Sequence, residues 1–177
     1  MVKRTSSNLL LAVMMVFVLA GLMVAGEGQP VYAATIAVNT TDDELNTDGD
    51  CSLREAIQAA NTDSAVDACV TGSGADTITV PAGTYPLTIG SSAAPLFGSH
   101  LRIDSDLTLS GAGAGSTIIE AGGNFRIFLI FSSPSQPVVT ISGLTIRNGK
   151  SFGANPGGGI QNGGTLTTVA VSIAKAR

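Results

Sequence analysis

The chain has 177 residues, a formal net charge of -4 and only 12% charged residues. That length fits one domain, and the charged fraction is about half the globular norm. With one His, two Cys and no Trp, the composition disfavours a zinc site. The lack of a basic surplus and the scarcity of aromatic residues also argue against nucleic-acid binding.

The N-terminus has the pattern of an export signal. Lys3 and Arg4 precede an apolar run over Leu9–Ala25, and small residues flank the predicted cleavage site between Ala33 and Ala34. We therefore predict a signal peptide. The alternative is an uncleaved membrane anchor, because the apolar run approaches membrane-spanning length. Either reading places the rest of the chain outside the cytoplasm, secreted or at the cell surface.

Cys51 and Cys69 are the only two cysteines, and both lie in the exported part. In an oxidising compartment an even pair predicts one disulfide. The alternative is two free thiols. A metal site is less favoured, because no His or further Cys stands nearby.

The residues after Cys51 predict a short helix. Ser52 and Glu55 have the spacing of a capping box, in which each side chain bonds the backbone N–H of the other residue. Leu53 and Ile57 fall on one face, and Asn61 is an acceptable last residue. A helix this short is marginal alone, so we expect it to pack on an apolar surface.

An acidic segment over residues 42–50 precedes this helix. Glu44, Asn46, Asp48 and Glu55 offer oxygen ligands at a spacing that resembles an EF-hand calcium loop. The match is imperfect, because the first ligand should be Asp and no helix precedes it. We predict no cofactor and no metal, and calcium is the one alternative. The preferred interpretation is a solvated acidic turn whose charge favours the helix N-terminus.

From Asp76 onward, short segments alternate polar and apolar residues, which is typical of strands. Leu107–Gly111 and Val139–Gly143 are near copies of each other. Short β-rich repeats with Gly at the corners predict a solenoid, in which each turn of chain stacks on the last. A β-sandwich is the alternative, because Asn148-Gly149 and Asn162-Gly163 are hairpin-type turns.

Several of these segments together resemble a known family. The run Cys51-Ser-Leu-Arg-Glu-Ala-Ile57 is followed by Ala59-Ala60-Asn61, Asp76-Thr77-Ile78 and Ala82-Gly83-Thr84-Tyr85. These residues resemble the CSLREA domain, which opens secreted bacterial proteins built as right-handed parallel β-helices. The resemblance implies an all-β, right-handed parallel β-helix with a short N-terminal capping helix. It supplies no catalytic residue.

Two downstream segments, Ile141–Gly149 and Gly157–Leu166, are similar to the rungs of such proteins. Gly158-Gly159-Ile160 and Phe152-Gly153-Ala154-Asn155 also resemble the repeat motifs of polymorphic outer-membrane proteins. The resemblance divides the chain into a signal peptide (1–33), a CSLREA cap region (34–75) and β-helix rungs (76–177). Similar proteins continue for more rungs, so we expect a C-terminal truncation or a piece of a longer protein.

Parallel β-helices include polysaccharide lyases and glycosidases, so an enzyme is one functional hypothesis. Glycoside hydrolysis requires two opposed carboxylates. Asp104 and Asp106 are the best catalytic candidates, although a solvated turn between Ile103 and Leu107 is the favoured interpretation, and we predict no catalytic residue. His100 has no assignable Ser or Cys partner. Arg102, Arg126 and Arg147 could line up to contact an anionic glycan, or they could be scattered solubilising residues.

The function that we predict is a non-enzymatic exported protein of the cell surface or matrix, with an adhesive or structural role. The alternative is a fragment of a β-helical polysaccharide lyase or glycosidase. The expected partners are glycans or cell-surface components and not nucleic acid. A membrane is expected as a partner only through the N-terminal apolar segment if that segment is uncleaved. The sequence leaves the oligomeric state open.

Overall fold

The computed structural model describes residues 32–90, 99–122, 125–132, 136–151 and 157–174. The predicted signal peptide lies outside these ranges, apart from its last two residues. Within them the chain forms one helix, α1 (Leu53–Thr62), and short strands of three to five residues. The strands are β1 (Thr35–Ala37), β2 (Asp76–Val80), β3 (Gly83–Leu87), β4 (Leu101–Ile103), β5 (Leu107–Gly111), β6 (Thr117–Ala121), β7 (Phe128–Ile130), β8 (Val138–Ser142), β9 (Thr145–Arg147), β10 (Ile160–Asn162), β11 (Thr165–Val169) and β12 (Ser172–Ala174).

These strands form three small sheets. The five-stranded sheet has the order β1-β2-β5-β8-β11, the four-stranded sheet β12-β9-β6-β3, and the three-stranded sheet β10-β7-β4. All paired strands within the sheets run parallel. The near copies Leu107–Gly111 and Val139–Gly143 are neighbours, with Leu107 opposite Val139.

The predicted fold class, a right-handed parallel β-helix closed as a solenoid, is wrong. The described residues form three separate parallel sheets with one short helix, and not a closed solenoid. From β2 onward the chain turns after each strand of three to five residues and successive strands enter different sheets, so each ladder of hydrogen bonds joins strands that are distant in sequence. A hairpin-based sandwich is not formed either, because parallel pairs cannot be joined by two-residue turns. The β-rich character and the short helix are confirmed.

Alternation along the strands builds the core. In the five-stranded sheet Ile36, Ile78, Leu109 and Ile141 occupy one row in register, and all four are fully buried. Their neighbours along each strand point outward and stay partly exposed. Complete burial of each such side chain stabilises the fold by about 1.5–3 kcal/mol.

The two near copies end in Gly for a steric reason. Gly111 and Gly143 approach so closely that a Cβ on either one would collide with the carbonyl oxygen of the other. Gly143 also has φ +62°, a left-handed conformation that favours glycine. The Ser-Gly corner therefore allows two neighbouring turns to pack backbone against backbone.

Helix α1 begins as predicted. The Ser52 hydroxyl accepts from the Glu55 N–H at 3.2 Å, and the Glu55 carboxylate accepts from the Ser52 N–H at 3.0 Å. Such a cap is worth about 0.5–2 kcal/mol. The helix ends one residue later than predicted, where Asp63 adopts a left-handed conformation. No helix in the described ranges is both long enough and apolar enough to cross a membrane.

The predicted disulfide is confirmed. Cys51 and Cys69 are bonded, and both are almost fully buried. The bond joins the residue just before the helix cap to the loop that follows α1. It therefore holds both ends of the helical segment in place. Disulfides persist mainly in oxidising compartments outside the cytoplasm.

Candidate functional site

Helix α1 covers the edge of the three-stranded sheet through one asparagine. The Asn61 side-chain amide donates to the Arg102 carbonyl at 2.8 Å, and its oxygen accepts from the Asp104 N–H at 2.8 Å. This amide pairs with the backbone at β4 as a neighbouring strand would. The helix therefore satisfies groups that an edge strand would otherwise expose.

An ion pair extends this covering to the four-stranded sheet. Arg54 meets Asp43 with N–O distances of 2.6 and 3.1 Å. Asp43 also accepts from the backbone N–H groups of Thr88 and Ile89, both at 2.6 Å, just after β3. Arg54 in turn donates to the Ser99 carbonyl at 3.4 Å. One buried pair thus links the helix, the acidic loop and two sheets.

A cavity of about 350 Å³ lies between α1 and β4. Its lining includes the ionisable side chains of Arg54, His100, Arg102 and Asp104. His100 is 6% exposed, and its Nε2 atom has no hydrogen-bond partner among the described residues. Burial lowers the pKa of His100, and the positive charges of Arg126, Arg54 and Arg102 lower it further. The imidazole is therefore held neutral.

The structure places the catalytic candidates in structural contacts. Asp104 pairs with Arg102 at 2.7 Å, and Asp106 accepts from the Val138 backbone N–H at 2.7 Å. The predicted row of arginines is also engaged. Arg147 pairs with Glu120, and Arg126 donates to the Gly157 carbonyl at 2.6 Å.

The candidate calcium ligands are only partly brought together. Asn46 donates from its side chain to Glu44 at 2.7 Å and to Asp48 at 3.1 Å. Glu55 is fully buried and accepts from the backbone N–H groups of Asn46 and Ser52. The Glu55 carboxylate is therefore engaged in the helix cap and not in a calcium site. Glu44 and Asp48 instead share a group with Asp50, whose carboxylate oxygens lie within 4.8 Å of theirs.

The candidate ligands predicted from the sequence did not include two acidic residues, Asp50 and Asp67. Asp50 belongs to the group with Glu44 and Asp48, and Asp50 also groups with Glu55 and Asp67. Asp67 accepts from the Gly49 N–H at 2.8 Å. Only the Cys51–Cys69 bond could have indicated that the segment around Asp67 folds back onto the acidic loop.

Crowding of these carboxylates affects their protonation. Burial raises the pKa of Glu44 to about 7, with further contributions from the Asp48 and Asp50 charges. Burial likewise raises the pKa of Asp50, and the Asp48 charge adds to the effect. Glu44 Oε1 and Asp50 Oδ1 are buried and have no hydrogen-bond partner among the described residues. These carboxylates therefore disfavour ionisation of one another, and Glu44 is partly protonated at neutral pH.

The outer surface of the five-stranded sheet carries hydroxyl groups in register. We call this surface the hydroxyl face. One row passes through all five strands and consists of Thr35, Thr77, Thr108, Thr140 and Thr167. A second row, two residues further along the strands, contains Thr79, Ser110 and Ser142.

These hydroxyl groups are available for external contacts. Among the described residues, no hydroxyl of the first row has a hydrogen-bond partner within the protein, and in the second row Ser142 makes one long contact, 3.5 Å to the Leu109 carbonyl. The remaining outward residues of these strands are Thr, Ala, Val and Gly. Asp106 lies just before β5 and accepts from the Val138 N–H. The face is thus uncharged and repetitive.

Fold and site define a β-rich protein of parallel sheets with a disulfide-linked helical cap. Comparison with protein-family models, with curated proteins and with solved structures finds no match. The resemblance to the CSLREA domain stays a prediction, and the function is argued from the chain's own residues.

Proposed function

We propose that this is an exported, non-enzymatic protein that acts by adhesion at a cell surface or in an extracellular matrix. The observation that carries the proposal is the hydroxyl face, whose in-register threonine hydroxyls make no hydrogen bond within the described part of the protein. The buried disulfide supports the extracytoplasmic location. An extracytoplasmic location is compatible with both secretion and attachment to the cell surface.

The geometry of the hydroxyl face suits a repetitive, uncharged partner. Neighbouring strands place equivalent hydroxyls about 4.8 Å apart, and residues two apart on one strand add a second repeat of about 6.6 Å. Each hydroxyl can donate one hydrogen bond and accept two. A neutral glycan presents hydroxyls of the same kind at regular intervals, so many weak contacts can form together. We therefore place the adhesive surface here.

The contacts of the acidic residues support a binding role over catalysis. Glycoside hydrolysis needs one carboxyl that donates a proton and another that faces it across the substrate. Asp104 is paired with Arg102, and Asp106 holds the backbone of Val138. Glu120, on β6, is paired with Arg147. These three carboxylates hold the fold together, so none of them is placed as the catalytic acid or base that the lyase or glycosidase alternative requires.

The test is binding to immobilised neutral polysaccharides and to bacterial cells, with product analysis in parallel. We expect retention without release of reducing or unsaturated ends. Thr108→Lys and Thr140→Lys should each weaken retention, because they place a charge in the middle of the hydroxyl face. Thr84→Lys is the matched control, since Thr84 is an exposed strand residue of the four-stranded sheet. Release of sugar ends, or equal loss in the control, would contradict the proposal.

A second candidate property is stabilisation by calcium. The observation that favours it is the group of Glu44, Asp48 and Asp50, whose oxygens lie within 4.8 Å of one another. Carboxylates in such a group repel each other unless a cation or a proton neutralises them. Oxygen donors of this kind suit Ca²⁺. In this proposal calcium stiffens the loop and takes no part in adhesion.

A further inference from the structure

One carboxylate in the core lacks a positive partner. Asp76, the first residue of β2, is fully buried. Its Oδ1 atom accepts from the Ala34 N–H at 2.9 Å and from the Ser73 N–H at 2.8 Å. Its Oδ2 atom has no hydrogen-bond partner among the described residues. No Lys or Arg pairs with it in those ranges.

A buried, unpaired carboxylate is costly. Removing one partner of a buried ion pair leaves an uncompensated charge, and the loss of stability is large. In the uncleaved chain the Ala34 nitrogen is an ordinary peptide N–H, which offers one proton and no charge. Asp76 therefore has hydrogen bonds and no counter-charge.

The Ala34 nitrogen is also the atom that leader removal would change. The predicted cleavage site lies between Ala33 and Ala34, so hydrolysis there would make Ala34 the new first residue. Tyr32 is 78% exposed, and Ala33 is exposed as well. Both described residues that precede Ala34 therefore lie outside the core.

We propose that cleavage after Ala33 creates an α-ammonium group on Ala34 that forms a buried ion pair with Asp76. Hydrolysis of the Ala33–Ala34 peptide bond consumes one water, leaves a carboxylate on Ala33 and frees an amine on Ala34. The amine takes up a proton at neutral pH. A leader peptidase of the export pathway catalyses this step. The ammonium then offers three donors and a positive charge where the peptide offered one donor.

The consequence is that leader removal completes the fold. The Ala34 carbonyl already accepts from the Thr77 N–H at 2.8 Å, and β1 follows at Thr35 as the first strand of the five-stranded sheet. The new amino terminus is therefore held at the sheet edge both by its nitrogen, which bonds Asp76, and by the Ala34 carbonyl, which bonds Thr77. An uncleaved chain keeps the same backbone contacts but lacks the charge that Asp76 requires.

The first test uses the full chain expressed with its leader in an exporting bacterial host. Intact mass should show a product that begins at Ala34. The α-amine should react with an amine-directed reagent roughly tenfold or more slowly in the folded protein than in urea, because it is released only by local opening. Lys150, in an exposed position, is the internal reference and should react at similar rates in both states.

The second test replaces the carboxylate. Asp76→Asn should restore the reactivity of the α-amine and lower Tm by roughly 5–15 °C. Asp63→Asn is the matched control, because exposed Asp63 bonds the backbone of the same turn at Gly74. If Asp76→Asn does not fold, the labelling of the unsubstituted protein still decides.

The inference rests on the proposed export, and its failure is distinguishable from failure of that proposal. An exported product that begins elsewhere, or whose α-amine is as reactive folded as unfolded, overturns the ion pair and leaves export intact. A product that retains the leader in the cytoplasm overturns both.

Discussion

His100 lies buried next to three arginines, and this placement makes the fold sensitive to acid. Burial and the charges of Arg126, Arg54 and Arg102 lower its pKa from the ordinary value of 6.5. The unfolded chain therefore takes up a proton near pH 6.5 while the folded chain does not, so stability is lost as the pH falls through that value. We expect His100→Gln to reduce this loss, measured by urea unfolding at pH 7.5 and 5.5. An identical pH dependence in both proteins would contradict the assignment.

The pKa of Glu44 is shifted in the opposite direction, so its contribution to stability depends on pH in the opposite way. Its pKa is raised from 4.5 to about 7, so the folded protein retains a proton that the unfolded chain releases at lower pH. Without calcium, stability should fall as the pH rises from 4.5 to 7, and Glu44→Gln should flatten that dependence.

Calcium should raise Tm above pH 7 in the unsubstituted protein, and a chelator should lower it again. A Tm that is independent of calcium would exclude the calcium proposal.

Residue-level prediction from sequence worked where the signal is local. The capping box needs only Ser52 and Glu55, three positions apart, and the cysteine pair needs only its count. The grouping of Asp50 with Asp67, and of His100 with three arginines, depends on segments that meet through tertiary packing. Glu55 illustrates the local case. Its carboxylate is a candidate calcium ligand by sequence, but it accepts the hydrogen bond of the helix cap instead.

At the scale of elements, the contact of α1 with β4 depends on Asn61. Asn61→Ala would leave the Arg102 carbonyl and the Asp104 N–H without their partners, and each hydrogen bond lost at this part-buried site costs about 0.5–1.5 kcal/mol. We expect a loss of roughly 1–3 kcal/mol in the free energy of unfolding, measured with urea. Gln58→Ala is the control, because Gln58 is an exposed residue of the same helix. Equal losses would show that the helix itself, and not the Asn61 bridge, is responsible.

Strand positions could be predicted because polar and apolar residues alternate, as in Thr77-Ile78-Thr79-Val80 and in the copies Leu107–Gly111 and Val139–Gly143. The assignment of each strand to a sheet could not be predicted. That assignment depends on where the chain turns, and close approaches such as that of Gly111 to Gly143 are visible only in three dimensions. The repeated pattern in the sequence therefore indicated that strands stack on one another, but the predicted closure into a solenoid was wrong.

At the scale of the whole molecule, the two ends of the sheets differ. Near the N-terminal side, α1 and the Asp43–Arg54 pair cover backbone groups at the edges of β3 and β4. At the other side, β10, β11 and β12 each pair with one strand among the described residues. Ile173 on β12 and Val169 on β11 are 62% and 55% exposed. Unpaired edges with exposed apolar residues promote association.

This asymmetry predicts concentration-dependent self-association through the exposed edges. Val169→Lys and Ile173→Lys should each reduce it, because a charge at an edge strand opposes further pairing. Val138→Lys is the matched control, since Val138 is 54% exposed but lies on β8, which has a partner on both sides. Sedimentation velocity over a range of protein concentrations measures the effect. If the control reduces association as much as the edge variants do, general surface charge and not the edge governs assembly. If no variant changes it, the association surface lies away from these strands.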